Sequence, residues 1–274
     1  MISVLSLGSG SSGNSTIIDD GKTVVLVDCG VSHAVIASGL ASLGRAIADL
    51  AAVLVSHEHT DHIRSLDRLA RQGVPIVCTA GTARAAGLGV GTFGRIELGA
   101  LREVGSLAAT SIPVCHDAAE PCGFLLQGNG ATVAIVTDAG CATNDIVTPL
   151  EGADLIIIES NHDERMLRRG PYPAPLKRRV LSDEGHLSND VCSDLLARVA
   201  ATTAKRPAIW LAHLSAVNNR PDLAVTTVVR RLHADRTAWS VEALPRAQPS
   251  RVWRSDQENP PTPYTGQLGL PGLD

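Results

Sequence analysis

The sequence predicts an α/β protein, α+β in its arrangement, with two sheets and helices on the outside. Two observations carry this reading. Short runs of β-branched and apolar residues recur along the whole chain, and helical stretches are interspersed among them in both halves. With 274 residues, 44% of them hydrophobic, the chain can bury a sizeable core as one large domain or two small ones.

The first strand runs into LSLGSGSSGNST, residues 5 to 16, where Gly8, Gly10 and Gly13 have the spacing of a dinucleotide-binding fingerprint. That fingerprint needs a helix next, to receive the pyrophosphate. The chain instead continues with Thr16-Ile17-Ile18, an Asp19-Asp20-Gly21 turn and Thr23 to Asp28, which reads as a β-hairpin. The glycines therefore need another role. Further along, His33 falls in a helical stretch, Val53 to Val55 reads as a buried strand, Asp61 to Gln72 as a helix, Ile76 to Cys78 as a strand and Thr82 to Ala86 as a short helix. Strands come next at Thr110 to Cys115, Gly123 to Gln127 and Thr132 to Thr137. The second half continues with a strand at Leu155 to Ile158, a helix at Ser188 to Ala201, a strand at Ala208 to Ala212, a helix at Leu223 to Ala234 and a strand at Trp239 to Ala243. From Pro245 to Asp274 the composition turns proline-rich and polar with no apolar period. The organisation expected is a folded domain over 1–244 and a flexible tail over 245–274.

The net charge of −4 gives no global footprint for nucleic acid, so any such contact must come from a local patch. No signal-peptide pattern and no membrane-length apolar run is present, so a cytoplasmic protein is expected. The six cysteines form no C-x-x-C pair and sit mostly in apolar strand contexts, which predicts reduced, buried thiols.

The chemistry concentrates in VLVSHEHTDHIRSL. His57 and His59 leave a buried strand two residues apart and point the same way, so they can share one ion, while Asp61 and His62 in the next turn address a second. Helix capping by Asp61 alone does not account for three histidines and an aspartate in six positions, and imidazole with carboxylate is a usual transition-metal ligand set.

H-x-H-x-D-H resembles the signature of metallo-β-lactamase-fold hydrolases, which implies an αββα sandwich of two mixed sheets with a one- or two-metal site at its open edge. Later motifs match in order. His116 in IPVCHDAAEPCGF is similar to the third ligand of the first site, Asp138 in VAIVTDAG to the carboxylate between the two metals, and His213 in IWLAHLS to the last ligand of the second site. Asp28 in VLVDCG resembles an early aspartate that supports the histidine loop. Within the superfamily the chain resembles the YycJ/WalJ family of double-strand DNA exonucleases, related to the tRNA-processing ribonuclease Z. The similarity runs over about the first 245 residues through LGSGSSGNST, VDCG, SHEHTDH, ESNHD, GPYPAPLKRR and GHLSN.

The resemblance implies a metal-dependent nuclease holding two divalent ions, zinc or manganese, with the water they share as nucleophile. Glu159 and His186 are similar to the glutamate and H-x-T histidine of ribonuclease Z, where the histidine protonates the leaving oxygen; here Leu187 and Ser188 come after it. His162 in ESNHD is expected to line the site. The glycine loop, with Ser11, Ser12 and Asn14, is expected to hold a phosphate beside the metal edge. Arg165, Arg168, Arg169, Lys177, Arg178 and Arg179 form a basic patch between Glu159 and His186, expected to meet the phosphate backbone, and Tyr172 to stack on a terminal base. Gln267, Leu268, Leu270 and Leu273 resemble the short peptides by which bacterial DNA enzymes dock on the sliding clamp. DNA is the expected partner ahead of RNA. The alternatives are a ribonuclease Z-like endoribonuclease acting on structured RNA, and a metal-bound regulatory or binding module with little catalysis. A β-lactamase would be exported, and the interval from Asp138 to His213 is too short for the cap domain of the β-CASP nucleases.

Overall fold

Valine and isoleucine dominate the second and third strands because side chains branched at Cβ pack well on a pleated surface, and leucine and valine fill the first. In the computed structural model, which describes residues 1–264, these runs become β1 (Ser3–Gly8), β2 (Ser15–Asp19) and β3 (Val24–Val27), an antiparallel meander. After α1 (His33–Ser42) the chain adds β4 (Leu50–Leu54) parallel to β3. Two short helices come next, α2 (Thr60–Ile63) and α3 (Leu66–Arg71), then β5 (Ile76–Cys78), α4 (Ala80–Ala85) and β6 (Gly94–Arg95), the strands again parallel. The helix expected over Asp61 to Gln72 is thus two helices broken at Arg64 and Ser65, where the Ser65 amide donates to Cys29 O at 2.9 Å.

The second sheet repeats the plan. Strands β7 (Leu101–Val104), β8 (Leu107–Pro113), β9 (Cys122–Gly128) and β10 (Ala131–Val136) are antiparallel. After α5 (Asn144–Leu150) comes β11 (Leu155–Glu159), parallel to β10. Then α6 (Glu164–Arg169), α7 (Ala174–Val180) and α8 (Asn189–Thr202) lead to β12 (Ala208–Ala212), and α9 (Pro221–Ala234) leads to β13 (Ser240–Ala243), both strands parallel to their neighbours. Each sheet is therefore mixed, antiparallel on one side and parallel on the other. The inner parallel strands β3, β4, β11 and β12 read as nearly unbroken apolar runs because they are covered on both faces.

Three apolar clusters define four layers. One, with Ile2, Val25, Phe124 and Trp210, fills the space between the sheets; a second packs α5, α8 and α9 on the second sheet; a third packs α1, α3 and α4 on the first. This is the αββα sandwich the resemblance implied. No helix among the described residues is long and apolar enough to cross a membrane.

Two expectations are corrected. Residues 245–264 are not a loose tail: Trp253–Arg254 form β14, antiparallel to β1, with Trp253 buried in the inter-sheet core. The segment then returns to the second sheet, where the Thr262 amide donates to Trp239 O at 3.0 Å and Tyr264 packs on His233. A two-residue strand carries no period to be read from sequence. Residues Gln267, Leu268, Leu270 and Leu273 lie outside the described residues. The second correction concerns the cysteines. Cys29, Cys78, Cys122 and Cys192 are free and buried as expected, but Cys115 and Cys141 are paired, their Cα atoms 6.0 Å apart. The pair joins the loops after β8 and β10, whose proximity no sequence spacing reveals.

Candidate metal centre

In sheets with parallel strands, functional groups gather where the strands end. Asp28 follows β3, His57 lies beyond β4, His116 beyond β8, Asp138 beyond β10, and His213 follows β12, while Glu159 is the last residue of β11. Asp28, Asp138 and His213 all adopt left-handed backbone conformations, with φ of 57°, 54° and 54°. Such angles are uncommon for residues other than glycine, and here they sit on three residues at the same edge.

The structure brings the expected ligands together in overlapping groups. His57, His59 and His116 form one, Asp61, His62 and His213 a second, and Asp138 joins His57 and His62 between them. Asp138 Oδ2 is 2.9 Å from His62 Nε2, and its Oδ1 is 3.1 Å from His213 Nδ1. A fourth group unites Asp138, Glu159, His186 and His213.

The test of whether a cation suits these residues lies in their unsatisfied atoms. His57 Nε2, His116 Nε2 and His213 Nε2 are all buried without a hydrogen-bond partner, and they surround Asp138, whose Oδ2 meets only His62 Nε2. Burying such groups unpaired costs on the order of 1–3 kcal/mol each, so three around one carboxylate call for a shared cation. The opposite ring nitrogens are all engaged. His57 Nδ1 donates to Ser56 Oγ at 3.0 Å, His116 Nδ1 to Gly185 O at 3.1 Å, His62 Nδ1 to Asp28 Oδ2 at 2.8 Å and His213 Nδ1 to Glu159 Oε1 at 2.7 Å. Anchoring Nδ1 fixes the orientation of each ring and turns Nε2 to the centre. The donor set fits divalent metal.

Electrostatics follow from the crowding of imidazoles and carboxylates. Burial, and then the neighbouring His62, hold His57 well below its ordinary pKa, and burial lowers His116 as well. His62 is also buried, which works against its charged form, yet the carboxylates of Asp28 and Asp138 push it up to about 10. Burial would raise Glu159, but the His186 imidazole and hydrogen bonds from His186 and His213 bring it down to about 2. Glu159 Oε1 takes the Nδ1 protons of both histidines, and Oε2 accepts from the amides of Ala139 and Leu187. His186 is held at 2.9 Å from Oε1, its side chain remains partly exposed, and its Nε2 has no partner among the described residues.

Asp28 supports this arrangement from behind. It accepts the Ser56 amide and hydroxyl and the His62 ring, all at 2.8 Å, and the Ser56 hydroxyl links it in turn to His57. Asp28→Ala is expected to weaken metal binding by about 10–100-fold, as read by competition with a chelating dye. Wild-type affinity in that variant would contradict this supporting role.

The glycine loop does something other than expected. The amide of Ser9 donates to Arg246 O, that of Gly10 to Asn14 Oδ1, that of Gly13 to Gly10 O and that of Asn14 to Asp61 O, so these groups are not available to a phosphate. Ser9 Oγ accepts the His213 amide at 2.9 Å, and the Asn14 amide side chain reaches Asp61 Oδ2 and His62 Nε2. The loop therefore braces candidate metal ligands from both halves of the chain. Buried Asn14 is a support and not a rim contact; Ser11 and Ser12 are exposed at the loop tip. The close approach needs glycine at position 30, where a Cβ would lie 1.6 Å from the Asp61 carbonyl oxygen.

His162 is not drawn into the metal clusters. It is 1% exposed, neither ring nitrogen has a partner, and burial brings its pKa down to about 4. The basic patch is divided. Arg165, Arg169 and Arg178 are exposed and free of ion pairs among the described residues. Lys177 Nζ instead donates to Arg168 O at 2.8 Å, Arg168 pairs with Glu164, and Arg179 Nε donates to Asp117 Oδ2. Tyr172, half-buried, lies between the two short helices. Ser9, Ser56, Asp117 and Gly185 were not singled out by sequence reasoning; only the adjacency of Ser56 to His57 and of Asp117 to His116 offered a signal.

Residues 23–207 match the family model described as the beta-lactamase superfamily domain. The chain belongs to the β-lactamase superfamily. It is 36% identical over 235 residues to exodeoxyribonuclease WalJ of Streptococcus pneumoniae, covering 82% of this chain and 86% of that protein. Exodeoxyribonuclease YycJ of Bacillus anthracis is 35% identical over 228 residues, with 81% and 86% covered. Among solved structures, the metallo-beta-lactamase fold protein YhfI of Bacillus subtilis aligns with a TM-score of 0.66 at 19% identity, covering 93% of this chain and all of the other. A diphosphatase from the PhnP family aligns at 0.63 with 16% identity, covering 92% and 98%. Zn(2+)-bound PqqB from Methylobacterium extorquens aligns at 0.59 with 17% identity, covering 90% and 99%. At these identities the solved structures speak to the superfamily fold and to nothing finer.

Proposed function

We propose that this superfamily member is a metal-dependent nuclease that removes nucleotides from duplex DNA in the 5′ to 3′ direction. The observation that carries the reading is the coincidence of about one-third identity to two exodeoxyribonucleases, over four-fifths of the chain, with a full set of imidazole and carboxylate donors at the sheet edge. His57, His59 and His116 would hold one divalent ion, Asp61, His62 and His213 a second, and Asp138 would serve both; zinc and manganese each suit these donors. Bound there, the ions supply an activated water and positive charge for the phosphoryl oxygens.

The chain's own residues do the rest. Glu159 holds His186 Nδ1–H and leaves Nε2 free to carry a proton, so the ring is oriented to protonate a departing deoxyribose oxygen. Burial works against charging His186, but the Glu159 carboxylate outweighs it and keeps the ring above its ordinary pKa. Glu159 thereby ties the proton donor to the ligand His213 through one oxygen. Arg165, Arg169 and Arg178 give an exposed cationic face for the phosphate backbone, and Ser11, Ser12 and Tyr172 complete the contacts proposed for the strand end.

Substrate choice is tested by incubating the metal-loaded protein with equal concentrations of linear duplex DNA and precursor tRNA. The expected result is at least a tenfold preference for the DNA. A single cut in the RNA with the DNA intact would move the protein to the endoribonuclease reading, and inertness toward both would favour a binding module.

A further inference from the structure

Asp117 follows His116 directly, yet it belongs to none of the clusters able to hold an ion. Its two oxygens have different surroundings. Oδ1 is buried without a hydrogen-bond partner, 3.3 Å from His116 Nε2. Oδ2 accepts from Arg179 Nε at 2.5 Å. Arg179 lies in the last turn of α7, and that end of the helix is fixed to the site at two further points. The His186 amide donates to Val180 O at 3.1 Å, and Gly185, whose carbonyl accepts His116 Nδ1, packs so closely that a Cβ on it would meet Arg179 O at 2.3 Å. Of the Arg179 donors only Nε is used; its two terminal nitrogens have no partner among the described residues, and the side chain is 54% exposed.

An ion pair with so exposed a partner contributes little to stability, so its use lies elsewhere. A guanidinium held at Nε keeps a pair of parallel N–H groups on its far side, the fork that fits a phosphate, whereas a lysine ammonium bound to the same carboxylate offers no such fork. A bare carboxylate beside His116 would in addition repel a polyanion, and Arg179 cancels that charge.

We propose that Asp117 is a positioning residue: by taking Arg179 Nε it turns the terminal nitrogens of that arginine to a phosphate of the nucleic-acid strand entering beside His116. The inference rests on the nuclease reading above. It goes beyond it in assigning Asp117 a role and in predicting an order among variants.

The test measures KM and kcat on duplex DNA across a salt series, together with bound metal, for the full chain and for Asp117→Ala, Arg179→Ala, Arg179→Lys and the double alanine variant. Asp117→Ala is expected to raise KM about five- to tenfold with kcat within twofold of wild type, metal content unchanged, and a salt slope shallower by about one phosphate contact. Arg179→Ala is expected to be worse, because it leaves the carboxylate unneutralised; Arg179→Lys should not rescue it, and the double variant should bind no more weakly than Arg179→Ala. Loss of metal and of kcat in Asp117→Ala would make it a metal-site residue and overturn the proposal. So would wild-type behaviour of that variant, or losses that simply multiply in the double variant. A wild-type chain inert on DNA and RNA alike overturns the nuclease reading and this inference with it, whereas an active wild type with an indifferent Asp117→Ala overturns the inference alone.

Discussion

Asp138→Ala is expected to reduce phosphodiester cleavage on the order of 10³-fold and to leave the protein with less than its full complement of ions. The reason is geometric. Asp138 is the one carboxylate among the described residues that approaches candidate ligands of both groups, with Oδ2 at 2.9 Å from His62 Nε2 and Oδ1 at 3.8 Å from His116 Nε2. Burial would raise its pKa, but His213 and His62 keep it well below the carboxylate range, so it stays ionised among buried imidazoles. Without it, buried histidines face one another with less compensating charge, and metal affinity falls through lost ligation and increased repulsion together. Metal analysis alongside the cleavage rate checks this. Asp138→Asn, nearly the same shape without the charge, separates loss of ligation from loss of packing: it should keep the fold, by thermal unfolding, and still fail to cleave. A variant that retained full metal and wild-type rate would remove Asp138 from the centre.

His186→Gln is the second large effect, with a signature of its own. Loss of a general acid costs about 10²–10⁴-fold, and here it should fall on kcat with bound metal unchanged, because the ring is held by Glu159 and lies outside the two histidine-rich triads proposed to hold the ions. The size of the loss should depend on the leaving group. A nucleotide oxygen needs a proton as it departs; an aryl oxide does not. On bis(p-nitrophenyl) phosphate the variant should therefore approach the wild-type rate. An equal loss on both substrates would mean that His186 supports the metal site instead of supplying the proton.

How much of this could be read in advance depended on whether the signal was local. His57, His59, Asp61 and His62 fall within six positions after a strand, so their grouping at one sheet edge followed from the chain itself. Strands were legible wherever a short apolar run was buried on both faces, as at Leu155–Glu159 and Ala208–Ala212. The short helices α6 and α7 were hidden because six or seven residues give too little period. β14 was hidden for the same reason. His116, Asp138, Glu159 and His213 came from the family resemblance alone, since one histidine or acid at a strand end has no pattern of its own. What stayed out of reach was tertiary. The use of the glycine loop amides, the left-handed angles at Asp28, Asp138 and His213, the Cys115–Cys141 pairing and the contact of Asp117 with Arg179 all depend on which strand ends meet.

The measurement that tests the account most directly is digestion of a linear duplex DNA labelled at one end or the other, with zinc or manganese and with a chelator in parallel. The account predicts progressive release of the 5′ label as mononucleotides with metal, retention of the 3′ label on shortening fragments, and no release with chelator. Cleavage that persists in chelator, or a duplex left intact under every metal condition, would contradict it.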